Sequence, residues 1–273
     1  MRHFISRLAA EPPFRILSRA ILRSFTSSTA TRARWDISSR PAYLLGLTAA
    51  VSQAKLQGVR EIAAIEFGVA GGAGLIAMQQ EAEAVERDSG VAIRVYGFDM
   101  GPEGLPALIG DFRDHPEEWR SGDYPMQVES LRRRLKERTT LIIGNIRDTA
   151  DGFFENQRPP PLGFVAIDVD LYSSTCQALR IFRTPARRML WHTPMYFDDI
   201  GFMFNHRFAG ELLAIEEFNN ESRDVKIDRW YGVRYGRPFP ERPYLEQMYV
   251  AHDIAATSSV QLGRSSGALP LRV

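Results

Sequence analysis

The sequence predicts an α/β fold in which a doubly wound, seven-stranded sheet carries helices on both faces. Short apolar segments alternate with helical segments at least four times along the chain, and this alternation is typical of a mostly parallel sheet with crossover helices. A glycine-rich segment, 68–74, closely follows the first apolar run, where a strand would turn into a helix. We therefore predict a Rossmann-like sheet that is mostly parallel, with its last strand antiparallel.

The predicted strands are short, and most of them are apolar, as expected for strands that are buried on both faces. They cover 62–67, 91–98, 139–143, 163–167, 195–197, 225–230 and 247–251. Helical periodicity predicts helices over 43–56, 126–137, 173–182 and 208–218, and another from the glycine-rich segment to 87. These elements place one domain at 38–256, after a basic arm and helix at 1–37 and before a flexible tail at 257–273.

The overall charge and the cysteine content restrict the partners and the compartment. The formal net charge is +1, so no overall field favours nucleic acid, and no apolar run is long enough for an integral membrane segment. Cys176 is the only cysteine, which fits a reducing compartment. We therefore predict a cytoplasmic protein without a nucleic-acid partner or an integral membrane segment, and a homo-oligomer stays open.

The first 34 residues differ from the rest because they hold seven arginines and one acid. Apolar residues at Phe14, Leu17, Ile21 and Phe25 would line one face of a short helix between the arginines. A transit peptide and a helix that lies on an acidic surface both fit this pattern. Arginine also outnumbers lysine in the rest of the chain, so we favour an N-terminal arm with one packed helix.

The first predicted strand ends next to Glu66, and glycines at Gly68, Gly71 and Gly72 follow it. Glycines allow a tight turn and a close approach between backbone and ligand, so these four residues are candidates for binding a cofactor. A tight turn without a ligand is the alternative. The dinucleotide pattern begins only at Gly72, and a carboxylate at Glu66 would repel a pyrophosphate but suits an ammonium group.

Two further positions at strand ends are candidates for the same cofactor. Asp99 ends the second strand, and an acid at this position can accept hydrogen bonds from both hydroxyls of a ribose. Asn145 follows the third strand, where an adenine could lie against apolar surface. An acid in a solvated loop is the alternative for Asp99.

Acidic residues also end the fourth and fifth predicted strands. Asp168 and Asp170 follow the fourth strand, and Asp198 and Asp199 follow the fifth. Carboxylates at neighbouring strand ends would converge and repel one another unless a cation lies between them, and Mg²⁺ prefers such oxygen ligands. The sequence therefore predicts a metal site at this edge. Helix capping by Asp170 and turn formation by the later pair are the alternatives.

Four segments resemble, in order, motifs of the macrocin O-methyltransferase (TylF-like) family. They are IEFGVAGGAGL at 65–75, VYGFDMGPEGLP at 95–106, IDVDLYSST at 167–175 and FDDIG at 197–201. The resemblance runs from about residue 40 to residue 219, and Val169 stands where the family commonly has glycine. It implies a class I methyltransferase that transfers the methyl group of S-adenosylmethionine to a hydroxyl of a small molecule, such as a natural-product sugar.

The resemblance also implies roles for individual residues. Glu66 and Gly68 would bracket the methionine part of S-adenosylmethionine, and Asp99 would hold its ribose. The implied ligands of a divalent metal, Mg²⁺ in our prediction, are Asp168, Asp198 and Asp199.

The acceptor hydroxyl has to lose its proton to become a good nucleophile. Asp168 is the candidate base, and His206, which follows the last acidic motif, is the alternative. We expect the acceptor to lie between the loop 102–124 and an aromatic C-terminal stretch. That stretch comprises Trp230, Tyr231, Tyr235 and Phe239, and a place in the hydrophobic core is the alternative for these side chains.

Three other functions stay open on the sequence alone. An NAD(P)-dependent oxidoreductase would need a glycine fingerprint that begins at the strand end, which 68–74 does not provide. A nucleic-acid methyltransferase would use the basic run at 132–134, which a solvated helix face also explains. A non-catalytic cofactor-binding or interaction protein would keep the glycine turn without needing the acids.

Overall fold

Seven strands form one sheet in the computed structural model, which describes residues 14–25, 28–202 and 205–259. The strands are β1 (Glu61–Phe67), β2 (Ala92–Asp99), β3 (Thr139–Ile143), β4 (Leu162–Ile167), β5 (His192–Phe197), β6 (Val225–Arg229) and β7 (Met248–Asp253). Their order is β3-β2-β1-β4-β5-β7-β6, and β7 runs antiparallel to both neighbours. The predicted sheet with an antiparallel last strand is confirmed, and each predicted strand overlaps an observed one.

The central strands are buried on both faces because helices cover the sheet from both sides. Ile65 and Phe67 of β1 belong to one core cluster. Ile62 and Ala64 belong to the other, as the two-residue period of a strand requires. Phe67 stacks on Phe98 with ring centroids 4.6 Å apart. Replacing a buried phenylalanine of this kind by alanine costs about 3–5 kcal/mol.

Each helix predicted in the domain overlaps an observed helix, but several short helices were not predicted and one predicted helix is too long. They are α1 (Phe14–Phe25), α2 (Thr29–Arg34), α3 (Pro41–Leu56), α4 (Ala73–Ser89), α5 (Val128–Arg132), α6 (Ile146–Asp151), α7 (Phe153–Gln157), α8 (Tyr172–Leu179), α9 (Gly210–Glu221) and α10 (Ile254–Ser258). The helix predicted over 126–137 is wrong in extent, because only α5 is helical there. Leu131 is its buried residue, and the N–H of Lys136 donates to the side chain of Gln79 instead of continuing a helix.

The topology of the sheet reverses beside β1. This strand pairs in parallel with β2 on one side and with β4 on the other, and ligands bind at the carboxyl ends of strands at such a switch point. The registers align Phe67 with Phe98 and with Ile167, and Ile167 with Phe197. Residues that follow these four positions therefore meet at one edge of the sheet.

The two ends of the chain are described in part. The predicted basic arm contains α1 and α2, whereas residues 1–13 and 26–27 lie outside the described residues. Residues 260–273 of the predicted tail also lie outside them, and α10 occupies its start. Within the described ranges, none of the helices combines the length and the apolar character that a bilayer crossing requires.

Candidate active site

A cavity of about 580 Å³ opens at the carboxyl edge of the sheet, beside the switch point between β1 and β4. Its volume lies in the range of small-molecule sites. We term it the central cavity. The predicted site residues that line it are Glu66, Gly68, Gly71, Asp99, Asn145, Asp168, Asp198 and Asp199. The strand registers thus bring eight of the ten predicted site residues into one space.

The turn after β1 passes close to the end of β4. Gly68 has a φ of +82°, and a Cβ there would lie 1.6 Å from the carbonyl oxygen of Asp168. Gly72 is the N-cap of α4, with a φ of +84°, and a Cβ there would meet the side chain of Leu131. Only glycine suits both positions. Gly71 lines the central cavity, whereas Gly72 serves the turn and the start of the helix.

Glu66 is a buried carboxylic acid at the end of β1. Its Oε1 accepts a 2.6 Å hydrogen bond from the hydroxyl of Tyr43 in α3, whereas its Oε2 has no hydrogen-bond partner. A Cβ at Gly74 would lie 2.0 Å from Oε1, so this glycine leaves room for the carboxylate. Burial, opposed by the bond from Tyr43 and reinforced by Asp168, raises the pKa of Glu66 to about 8. A buried oxygen without a partner is suited to receive a donor from a ligand.

Backbone N–H groups of the adjacent turns use most of the hydrogen-bonding capacity of the Asp99 carboxylate. Its Oδ2 accepts hydrogen bonds of 2.8 Å from the N–H groups of Val69 and Ala70. Its Oδ1 accepts a 2.7 Å bond from the N–H of Gly101. A carboxylate offers about four lone-pair sites, so these three bonds leave about one for a ribose. Asp99 therefore stabilises two turns, a role that the sequence did not predict, while it lines the central cavity.

Asp168, Asp198 and Asp199 converge in the central cavity. One carboxylate oxygen of each lies within 4.8 Å of those of the other two. The three side chains offer oxygen ligands only, which is the donor set that a hard divalent cation such as Mg²⁺ prefers. The geometry therefore fits a metal at the predicted ligands.

Burial and neighbouring charges raise the pKa values of several acids in the cavity. Burial, followed by the charges of Asp198 and Asp199, raises the pKa of Asp168 to about 8. Burial and the neighbouring acids also raise the pKa of Asp170 to about 7 and that of Asp199 to about 8. The guanidinium of Arg40, which lines the cavity, acts in the opposite direction on Asp168. The cavity therefore holds an excess of acidic groups, which a bound cation would stabilise as carboxylates.

The fold is shared with a solved O-methyltransferase. The crystal structure of CalS11, a calicheamicin methyltransferase, matches 89% of this chain and 93% of its own, with a TM-score of 0.51 and 17% identity. The chain has a methyltransferase fold. The O-methyltransferase NovP matches with a TM-score of 0.48 and 19% identity over 66% of this chain and 72% of its own.

A third solved structure is that of TomG from Streptomyces achromogenes, an O-methyltransferase in complex with SAM. It matches with a TM-score of 0.38 and 15% identity over 76% of this chain and 78% of its own. No protein-family model and no curated protein matches the chain. The structural likeness supports the resemblance to the macrocin O-methyltransferases at the level of the fold.

Hydrogen bonds to the acidic side chains fix the segments that follow β4 and β5. The N–H of Asp170 donates a 2.9 Å hydrogen bond to Oδ2 of Asp199, and Asp170 has a φ of +61°. The N-cap of α8 is Leu171, so helix capping by Asp170 is wrong. The hydroxyl of Tyr196 donates to Oδ1 of Asp198. The loops after β4 and β5 are therefore linked through the acids themselves.

The side chain of Glu211 contacts this acidic cluster, a role that the sequence did not predict. It lies in the first turn of α9 and is 1% exposed. Its Oε2 accepts a 3.0 Å hydrogen bond from the N–H of Asp199, and its Oε1 has no partner. Burial, followed by the charge of Asp199, raises the pKa of Glu211 well above its ordinary range. An acid in the first turn of a helix commonly interacts with the helix dipole, so the sequence alone gave no sign of its burial.

The loop between β2 and α5 forms one wall of the central cavity. Its buried Asp114 accepts a 2.8 Å hydrogen bond from the N–H of Ser173 in α8 and another of 2.8 Å from the N–H of Ile109. Trp119 and Tyr124 of the same loop line the cavity. The prediction that the loop 102–124 lines the acceptor side is therefore consistent with the structure.

The structure does not bring the aromatic C-terminal stretch to the central cavity, so its predicted place beside the acceptor stays a prediction without support from the cavity lining. None of Trp230, Tyr231, Tyr235 and Phe239 lines the central cavity. The stretch follows β6, and β7 separates β6 from β5. The stretch therefore starts two strands away from the acidic residues that follow β5. Phe239 packs edge-on against Trp35, with ring centroids 6.4 Å apart.

His206, the alternative base, is exposed and also lies outside the lining of the central cavity. Its ring lies 5.2 Å from that of the buried His115, between centroids. Asn145 lines the cavity and also caps α6, because its Oδ1 accepts the N–H of Arg147. Of the two candidate bases, only Asp168 faces the space where a substrate would bind.

Proposed function

We propose that this protein is an S-adenosylmethionine-dependent O-methyltransferase that acts on a hydroxyl group of a small molecule. One observation carries the proposal: a single cavity joins Glu66, with its unpartnered oxygen, to the three clustered acids Asp168, Asp198 and Asp199. The fold shared with CalS11 agrees with this function.

The cofactor would occupy the part of the cavity beside β1 and β2. Oε2 of Glu66 is an acceptor for the ammonium group of S-adenosylmethionine, and the negative potential of the acids favours its sulfonium. When bound, S-adenosylmethionine supplies a methyl group on positively charged sulfur. The residues that we assign to cofactor binding are Glu66, Gly68, Gly71, Asp99, Asn145 and Asp168, with Gly72 acting through the turn.

A divalent cation would be held by Asp168, Asp198 and Asp199. When bound there, Mg²⁺ would lower the pKa of an acceptor hydroxyl that reached it. Burial, followed by the charges of neighbouring acids, raises the pKa values of Asp168 and Asp199, and a cation would offset both effects by favouring the carboxylates.

Within the chain itself, Asp168 is the residue placed to accept the proton of the acceptor hydroxyl. A base has to lie within hydrogen-bond reach of the proton that it accepts, and Asp168 lines the central cavity. When bound, the cofactor would supply its methyl carbon to the acceptor oxygen, and S-adenosylhomocysteine would leave with the electron pair of the broken carbon–sulfur bond. Trp119 and Tyr124 would hold the acceptor in line, which is the main requirement of this displacement.

Calorimetric titration of the full chain with S-adenosylhomocysteine, once with Mg²⁺ and once with EDTA, tests the proposal. We expect binding in both conditions. Glu66→Gln should weaken it by about tenfold or more, because a charged hydrogen bond is worth about 1.5–3 kcal/mol. The exposed acid Glu155 supplies the control, Glu155→Gln, which should bind as the wild type does. Absence of binding in both conditions would overturn the proposal, and binding of NAD(P)H instead would favour the oxidoreductase.

A further inference from the structure

The N-terminal helix α1 presents its apolar side chains to solvent. Phe14, Leu17, Ile21 and Phe25 recur at helical spacing, and they are 49%, 61%, 50% and 84% exposed. Ile16 is exposed as well. A helix that packs on a globular domain normally turns its apolar face inward. Helix α1 has the opposite orientation, with its apolar face toward solvent.

Arginines hold α1 in this orientation. Nη2 of Arg15 forms a 3.0 Å ion pair with Glu241, and Nη2 of Arg19 donates a 2.7 Å hydrogen bond to the carbonyl oxygen of Asp36. Both guanidinium groups also lie over the ring of Phe239, at 5.3 Å and 5.7 Å from its centroid. The polar face of the helix is therefore bound to the domain, and the apolar face is left for another partner.

The segment that contacts α1 carries two more exposed aromatic side chains. Arg15 reaches the carbonyl oxygen of Pro238 in this segment, and nearby Tyr231 and Tyr235 are largely exposed. Tyrosine is enriched where a protein meets the boundary between a bilayer and water. Exposed apolar side chains that recur on one helix face, as in α1, mark an interaction site.

We propose that α1 docks this protein on the surface of a bilayer that contains anionic phospholipid. Arg15 and Arg19 bind the domain, but the helix also carries Arg23 and no acid, and the first 34 residues together carry seven arginines and one acid. This charge is complementary to anionic headgroups, while the apolar side chains enter the boundary of the acyl region. A second copy of the chain would bring two equally basic helices together, so charge favours the lipid. The inference does not depend on the proposed methyltransferase function.

Co-sedimentation of the full chain with vesicles tests this docking. We expect binding to vesicles of phosphatidylserine and phosphatidylcholine, weaker binding to phosphatidylcholine alone, and a loss of binding at high salt. The double variant Leu17→Glu/Ile21→Glu should lower the partition coefficient by about tenfold or more, because two large apolar groups no longer insert. Arg23→Glu should lower it by about fivefold or more for the anionic vesicles only.

Leu56 offers a matched control, because it is a 71% exposed leucine at the end of α3 and not part of α1. Leu56→Glu should leave vesicle binding unchanged, and thermal unfolding followed by circular dichroism should show that all variants are folded. The proposal is overturned if the double variant binds as the wild type does, or if both kinds of vesicle bind equally. It is also overturned if the protein does not bind vesicles but forms a dimer, and the double variant is monomeric. The apolar face would then bind a second copy of the chain.

Discussion

The hydroxyl of Tyr43 donates a 2.6 Å hydrogen bond to Oε1 of Glu66, and both side chains are buried. Tyr43 belongs to α3 and Glu66 to the end of β1, so the bond ties a helix to the cofactor side of the central cavity. It opposes the effect of burial on the pKa of Glu66. It also leaves Oε2 as the oxygen without a partner, which is the acceptor that we assign to the cofactor.

Tyr43→Phe should therefore weaken both stability and cofactor binding. The variant leaves Oε1 of Glu66 without its donor, and an unsatisfied buried group costs about 1–3 kcal/mol. Urea unfolding at neutral pH measures the loss of stability, and titration with S-adenosylhomocysteine measures the loss of affinity. Tyr231→Phe, at an exposed tyrosine, is the control. Unchanged values in Tyr43→Phe would show that the hydrogen bond contributes to neither property.

The raised pKa of Glu66 predicts how the stability of the ligand-free protein depends on pH. The pKa moves from an ordinary 4.5 to about 8 in the folded protein. Between these values the folded state keeps a proton that the unfolded state has lost. The contribution of Glu66 is therefore complete below about pH 4.5 and is lost as the pH rises to about 8, at no more than about 1.4 kcal/mol per pH unit.

Urea unfolding at a series of pH values checks this dependence. Glu66→Gln cannot release a proton, so the variant should lose less stability than the wild type over the same rise in pH. Glu155→Gln, at an exposed acid, should keep the dependence of the wild type. If Glu66→Gln keeps it as well, the slope arises from other groups.

The sequence was sufficient to predict the sheet and the acids at its edge. The strands are apolar runs, and a parallel register places the residues after Phe67, Phe98, Ile167 and Phe197 at one edge. No contact had to be known for this step, because the direction of the strands alone brings their ends together. Asp99 shows the limit of predicting a site from strand direction. The backbone N–H groups that donate to its carboxylate depend on the exact path of two turns, which the sequence does not give.

Long-range packing decided the features that the sequence did not predict. Tyr43 lies on a predicted helix, but the spacing of apolar residues does not indicate that its hydroxyl meets Glu66 across the core. The apolar spacing of α1 predicted a helix correctly, but not that its arginines would bind Glu241 and Asp36 and so turn the apolar face outward. The sequence also did not indicate that the aromatic stretch after β6 lies outside the lining of the central cavity, because the order of the last two strands cannot be read from local pattern.

Mg²⁺ should stabilise the wild-type protein and should not stabilise Asp168→Asn. At ten times its dissociation constant, a ligand of the folded state alone adds about 1.4 kcal/mol. Without Mg²⁺, Asp168→Asn should be at least as stable as the wild type, because it removes one of the mutually repelling acids. Thermal unfolding with Mg²⁺ and with EDTA measures both effects. Asp151→Asn, at an exposed acid, is the control, and an equal response to Mg²⁺ in Asp168→Asn would remove this residue from the metal site.

Glu211 allows a sharper test of how the acidic cluster is held. Burial raises the pKa of Glu211 well above its ordinary range, which favours the protonated carboxyl group in the folded protein. Glutamine has the same shape as this protonated form and keeps an oxygen for the N–H of Asp199. Glu211→Gln should therefore leave stability almost unchanged. Glu211→Ala removes the acceptor and leaves a cavity, and we expect it to cost about 2–4 kcal/mol.

The two variants of Glu211 should also differ in their response to metal. Because the side chain fixes the backbone of Asp199, Glu211→Ala should weaken Mg²⁺ binding, whereas Glu211→Gln should preserve it. A fall in both variants would mean that the charge of Glu211 matters directly. A purely structural role would lower stability in Glu211→Ala while calorimetry with Mg²⁺ gave the affinity of the wild type, and only a joint loss of both identifies Glu211 as the residue that positions Asp199.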